Sequence, residues 1–131
     1  MRKKGRKHQV AVLPVSSKKA GQILLVTSRH SRSWSLAKGN IEAASPLETA
    51  RREAFEEAGI RGRMEAKPIG YYIHRKSAGG KFRVKVFKMH VQVQLSSWPE
   101  KRERRRRWVS VKAALKLIPN PSLKRLISAH F

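Results

Sequence analysis

Arg52-Glu53-Ala54-Phe55-Glu56-Glu57-Ala58-Gly59-Ile60 gathers three carboxylates in a chain that has few. The 131 residues carry 31 lysines and arginines against eight glutamates and no aspartate, a net charge of +23. Five of the eight, Glu42, Glu48, Glu53, Glu56 and Glu57, fall between Gly39 and Ile60. On a helix Glu53 and Glu57 stand one turn apart on one face. Glu56 lies within ~100° of both at 3.6 residues per turn. Like charges this close destabilise a bare helix, and a divalent cation removes that penalty. Carboxylate oxygens are the hard donors that magnesium or manganese takes. Arg52, beside Glu53 and four residues before Glu56, can orient a ligating carboxylate from behind. The competing reading is a solvated face of Arg–Glu pairs.

The segment around these residues reads as a helix over about 46–58. Ser45 is a good N-cap, Pro46 suits the first helical position, and Glu48 completes a Ser-x-x-Glu capping box. Leu47, Ala50, Ala54 and Ala58 recur at helical spacing as a narrow apolar seam, and the glutamates flank it at a cleft edge. Gly59 suits a left-handed terminator.

Gln9–Ser16 and Gln22–Ser28 are apolar and β-branched and read as two strands joined by a short turn. Ser33–Leu36 alternates as a third, and Ala37-Lys38-Gly39 begins a loop. Lys67–Arg75 and Phe82–Leu95 read as strands joined by a hairpin turn at Ser77-Ala78-Gly79-Gly80. In the second of these, Phe82, Val84 and Val86 alternate, and then Phe87, Met89, Val91, Val93 and Leu95 continue in the opposite phase. A bulge near Val86–Phe87 or burial on both faces accounts for that slip. Arg107–Ser110 reads as a last strand, with helices over 111–118 and 121–130.

Length and composition fit one domain with a real core: residues 1–8 as a basic arm, residues 9–131 as the domain. The chain has no cysteine, so disulfides and thiolate metal sites are excluded. No stretch approaches the ~20 apolar residues of a membrane span. The expectation is a soluble, cytoplasmic protein with no membrane partner. A pI near 11.7 implies attraction to polyanions: nucleic acid, anionic lipid or a small polyphosphate.

The acidic segment resembles the signature of the Nudix hydrolases: Gly, five residues, Glu, seven residues, Arg-Glu-apolar-x-Glu-Glu-x-Gly-apolar. Arg52 to Ile60 matches the second half throughout, and Lys38-Gly39 matches the usual opening. A weaker resemblance extends over roughly 9–118 through the strand order and Trp108–Leu115. Gly39 to Arg52 is one residue shorter than the family pattern, and Ser45 sits where the family's first Glu is expected. Ala37 stands where many members carry Pro. With the capping box intact, the loop and not the helix is expected to absorb the deletion.

The resemblance implies an α/β/α sandwich with a mixed β-sheet between helices, and hydrolysis of a phosphoanhydride. Glu53, Glu56 and Glu57 would hold Mg²⁺ or Mn²⁺ together with the Gly39 carbonyl, with Arg52 behind. Glu100 and Glu103 sit where some members place a base; a plain surface role is the alternative for each. Lys38, Arg32, His74, Arg75, Arg83 and Lys85 lie on segments that would border the cleft and meet substrate phosphates. His74 as a surface or hydrogen-bonded residue, and each cation as plain surface charge, are the competing readings.

Trp34, Trp98 and Trp108 offer stacking surfaces or ordinary packing. Lys101-Arg-Glu-Arg-Arg-Arg-Arg-Trp108 is either a multi-phosphate site or a solubilising run, and a strand there would point its arginines to both faces.

Ser97-Trp98-Pro99-Glu100, the arginine run and Lys81–Phe87 resemble the diphosphoinositol and diadenosine polyphosphate hydrolase branch. A polyphosphorylated small molecule is therefore the expected substrate. The alternatives are an RNA 5′ end, a nucleotide sugar or ADP-ribose, and, in another class, a nucleic-acid-binding module without turnover. RNA or another polyanion remains a candidate partner for the basic surface.

Overall fold

The computed structural model describes residues 7–41, 45–76 and 79–131. Eight strands form one mixed sheet: β1 Lys7–Ser16, β2 Gln22–Thr27, β3 Trp34–Ser35, β4 Lys38–Asn40, β5 Ile60–Met64, β6 Gly70–Arg75, β7 Lys81–Gln94 and β8 Arg106–Ser110. The central path runs β3-β2-β1-β7-β5, with β4 on β1, β6 on β7 and β8 on β2. β1 and β7 pair in parallel, Lys7 opposite Phe82 through Ser16 opposite Val91, and every other pairing is antiparallel. α1 (Pro46–Glu53) packs on one face, while α2 (Val111–Leu117) and α3 (Pro121–His130) pack on the other. This is the expected α/β/α sandwich.

Strand alternation builds two cores at once. Ala11, Leu13, Ile23, Leu25, Phe82, Val84 and Val86 face α2 and α3. Val10, Val12, Leu24, Val26, Phe87, Met89 and Val91 face α1. The phase change at Val86–Phe87 is therefore burial on both faces, because the β1–β7 register runs through it without a break. The sheet's irregularity lies elsewhere, between Arg61 and Gly62 on β5. A Cβ at Gly62 would come within 2.1 Å of the His90 carbonyl oxygen, so the bulge requires glycine there.

Several boundaries differ from the sequence reading. β1 takes in Lys7 and His8, which gain β7 partners that no local pattern reveals. Residues 1–6 of the expected arm, 42–44 of the shortened loop and 77–78 of the hairpin turn lie outside the described residues. Lys38–Asn40 is a strand because it pairs with Gln9–Ala11. Ile60–Met64, unassigned from sequence, is edge strand β5, and Lys67–Ile69 precedes β6 rather than belonging to it.

The helix over 46–58 changes character midway. Ser45 caps it as expected, its Oγ accepting from the Glu48 amide at 3.1 Å. The Glu48 side chain turns instead to Arg51, 2.9 Å away. Beyond Glu53, Ala54–Ala58 forms a π-helical turn closed by Gly59 at φ 66°. The Gly59 amide reaches the carbonyls of both Ala54 and Phe55. Partners from outside the helix take the carbonyls of the wide turn: the Glu100 amide on Glu56, Trp98 Nε1 on Glu57 and Arg106 Nη1 on Ala58. Such turns recur at functional sites.

Candidate active site

β4 brings Gly39 against α1, and the Glu53 carboxylate fills the space a side chain would take. A Cβ at Gly39 would stand 2.4 Å from Glu53 Oε2. One turn on, Glu57 is only 6% exposed. Its Oε1 accepts from the Lys38 amide at 3.2 Å, and its Oε2 lies 3.4 Å from Arg104 Nη2. Burial pushes the Glu57 carboxyl up to about 8; Arg104 opposes the rise and the neighbouring Glu53 adds to it. Burial also raises Glu53, which shares a hydrogen bond with Glu57. Both carboxyls therefore hold their protons more tightly than in water, Glu57 even with Arg104 beside it.

These groups open onto a cleft of about 760 Å³, also lined by Glu56, Glu100, Arg29, His74, Arg75 and Lys76. Glu100 Oε1 is held by Arg104 Nε at 2.6 Å and Arg29 Nη2 at 3.1 Å, and Arg29 Nε pairs with Glu103 at 2.8 Å. Arg104 Nη1 also donates to the Thr27 carbonyl at 3.0 Å. A chain Glu57–Arg104–Glu100–Arg29–Glu103 thus runs out from the buried pair. Burial lowers the Lys38 ammonium, which Glu57 partly restores. Burial, with Lys38 and Lys76 nearby, lowers His74.

Glu53, Glu56, Glu57, Gly39, Lys38, Arg75, His74 and Glu100 converge as the sequence suggested. The other candidates do not line the cleft. Glu103 points to Arg29 at its rim. Arg52 lines a separate groove of about 320 Å³ with Arg51, Phe55 and Arg61. Arg32 sits exposed in a tight turn at φ 57°. Arg83 and Lys85 alternate onto an open sheet face around Tyr71.

Sequence reasoning missed Arg104 and Arg29 as site residues. The available signal was the i, i+4 spacing of Glu100 and Arg104 inside an otherwise featureless basic run. That run divides by alternation. Arg104 and Arg106 turn inward, while Arg105 and Arg107 are exposed. Trp98 and Trp108 pack structurally: Trp98 lies under Arg106 at 3.8 Å, and Trp108 packs against the α1-side core.

Among the described residues, no three His, Cys, Asp or Glu side chains close around one point. The donor set is two adjacent carboxylates with a third on the same wall. That fits magnesium, which takes one or two protein carboxylates, keeps several waters and completes its shell with substrate phosphates.

The NUDIX domain model matches residues 6–131. The chain belongs to the NUDIX family. It is 35% identical over 106 residues to Nudix hydrolase 13, mitochondrial, of Arabidopsis thaliana, covering 73% of this chain and 52% of that protein. It is 29% identical over 120 residues to diphosphoinositol polyphosphate phosphohydrolase 2 of Rattus norvegicus, covering 88% and 65%. The chain thus spans about half the length of the Arabidopsis relative. A NUDIX hydrolase structure from Nitrosomonas europaea superposes with a TM-score of 0.79 at 19% identity, over 96% of this chain and 88% of that one. In this NUDIX chain the three glutamates of the Arg52–Glu57 segment line the cleft, with Glu53 against Gly39 of β4.

Proposed function

We propose that this NUDIX domain is a Mg²⁺- or Mn²⁺-dependent hydrolase of phosphoanhydride bonds in polyphosphorylated small molecules, such as a diadenosine or diphosphoinositol polyphosphate. The observation that carries the reading is geometric: the half-buried Glu53 carboxylate packed against Gly39 and the buried Glu57 carboxylate one turn on, held by the Lys38 amide and Arg104, both lining a cleft with Lys38, Arg29, Arg75, Lys76 and Arg104. Glu53 and Glu57, with Glu56 and the Gly39 carbonyl, would hold the ion. When bound, the ion supplies positive charge to phosphate oxygens and makes a water more acidic.

The chain's own groups do the rest. In hydrolysis the water oxygen bonds to phosphorus, the bridging P–O bond breaks, and the leaving phosphate keeps that bond's electron pair. The cleft cations offset the several charges of such a substrate, and Arg suits bidentate phosphate contacts. Glu100 is the remaining carboxylate on the wall, and so the candidate for accepting the water's proton. The Lys38 amide and Arg104 fix the Glu57 carboxyl from two sides. Any proton on Glu53 or Glu57 must leave when they become ligands, because ligating carboxylates are deprotonated.

The test is a phosphate-release screen with Mg²⁺ over dinucleoside polyphosphates, inositol pyrophosphates, nucleotide sugars, ADP-ribose and 5′-triphosphate RNA, paired with calorimetric Mg²⁺ titration in buffers of different protonation enthalpy. Expected are turnover on a small polyphosphate and proton release on metal binding, both absent in Glu57→Gln. Unchanged turnover in Glu57→Gln, or turnover confined to RNA, would refute it.

A further inference from the structure

The first half of β7 raises a question that the active site does not answer. Its inward residues, Phe82, Val84 and Val86, are buried beneath α2 and α3. The residues between them, Arg83 and Lys85, point to the other face, where α1 packs on β1, β4 and β5. On that face the register lays out two rows across three strands: His8, Arg83 and Ile73, then Val10, Lys85 and Tyr71. Tyr71 is one of three large apolar side chains exposed among the described residues, at 41%. The Arg83 guanidinium lies 4.0 Å from its ring centre and the Lys85 ammonium 5.9 Å. Arg75, two residues beyond Ile73 on the same side of β6, lines the cleft.

From this we propose that the open half of the sheet binds single-stranded nucleic acid. Tyr71 and the Arg83 guanidinium plane stack on bases, and Lys85 and Arg83 contact the backbone phosphates. Two features favour this occupant. An exposed aromatic ring flanked by cations suits unstacked bases, every one of which has a π-face. Duplex ends offer few such faces. The charge of +23 supplies the attraction of any polyanion, and each neutralised phosphate releases counterions and steepens the salt dependence. Among the described residues, Tyr71 is the exposed ring flanked by two cations; Phe131, also exposed, has Lys88 over it, and Trp98, with two, is partly buried. The proposal goes beyond the hydrolase reading and does not depend on it, since none of Tyr71, Arg83 and Lys85 lines the cleft.

The experiment is fluorescence anisotropy of a short fluorescein-labelled oligouridine, and of oligothymidine, with the full chain in metal-free buffer at several salt concentrations. Tyr71→Ala is expected to weaken binding about tenfold, and Tyr71→Phe to retain it. Arg83→Ala and Lys85→Ala should each lower the slope of log K against log salt by about 0.7. Lys112→Ala and Arg125→Ala, on the helices of the opposite layer, should change little. Wild-type affinity in Tyr71→Ala overturns the proposal. So does an equal loss in Lys112→Ala, or equal binding of duplex RNA, either of which would reduce the effect to diffuse charge. Glu57→Gln should bind as wild type; lost binding there would move the site into the cleft and equally overturn it. Far-UV circular dichroism of Tyr71→Ala excludes unfolding as the cause.

Discussion

At the end of α1, a buried carboxylate is pressed against a half-buried one; on the β6–β7 hairpin, cations stand around an exposed tyrosine. The first arrangement is expensive. Burial first, and the neighbouring Glu53 after it, drive Glu57 up to about 8, and a protein gains no stability from crowding two acids at a partly desolvated site. Such a pair persists where something else requires it, which makes it a strong pointer to chemistry. The second arrangement costs the fold almost nothing. Exposed lysines and arginines keep their hydration, so charge there is weak evidence by itself, and the exposed ring of Tyr71 carries the functional argument. Most of this molecule's charge is of the inexpensive kind.

The largest effect expected at the acidic end is on turnover. Glu57→Gln should lower kcat/KM on the order of a hundredfold or more, since even groups that only support metal ligands typically contribute 10–100-fold, with oligonucleotide affinity unchanged. Gly39→Ala probes the same contact from the other side. Its methyl group must displace the Glu53 carboxylate, and a misplacement near 1 Å can reduce turnover about a hundredfold. Steady-state kinetics beside a melting curve should show activity falling while the melting temperature hardly moves.

Next in size are effects on stability. Arg106→Ala removes donors to the Ala58 and Leu95 carbonyls and the stack on Trp98. About 2 kcal/mol in denaturant unfolding is expected, in the range of hydrogen bonds to charged groups. Within β7 the contrast can be measured directly. Met89→Ala, under α1, should cost about 2–3 kcal/mol, and Lys85→Ala, on the open half, no more than ~0.5 kcal/mol. Similar losses for the two would mean that the open half is covered.

The remaining effect is a slope with pH. In the unfolded chain Glu57 ionises near its ordinary 4.5, and in the metal-free fold only near 8. Between those values the folded state holds the extra proton, so its stability falls as pH rises, and Glu53 adds in the same direction. The melting temperature of the metal-free protein should decline from pH 5 to 8. Glu57→Gln should flatten that decline, and saturating Mg²⁺ should raise the melting temperature most at the alkaline end.

How much of this was legible in the sequence follows the range of the interactions. Ser45 and Pro46 mark the helix start because capping is local, and Arg52–Ile60 is read from a spacing that one helix turn enforces. β4 was invisible because Lys-Gly-Asn has no strand propensity and is extended only by pairing with Gln9–Ala11. β5 was hidden by its glycine bulge, which breaks the alternation. The π-helical turn depends on Trp98, Glu100 and Arg106, some 40 residues along the chain. In the site, the carboxylates were found because they are scarce. Arg104 was hidden because arginines are not: in a chain with 31 basic residues, only packing tells the structural ones from the rest.

The inward arginines also have a dynamic consequence. Arg106 joins the last carbonyls of the carboxylate-bearing helix to the Leu95 carbonyl, and Arg104 joins Glu57 to the Thr27 backbone at the end of β2. The helix end, β8 and the segment between them should therefore open together. In hydrogen exchange, the amides of Gly59, Leu95 and Arg105 should share one protection factor, and Arg106→Ala should split that unit while leaving the amides of α3 untouched.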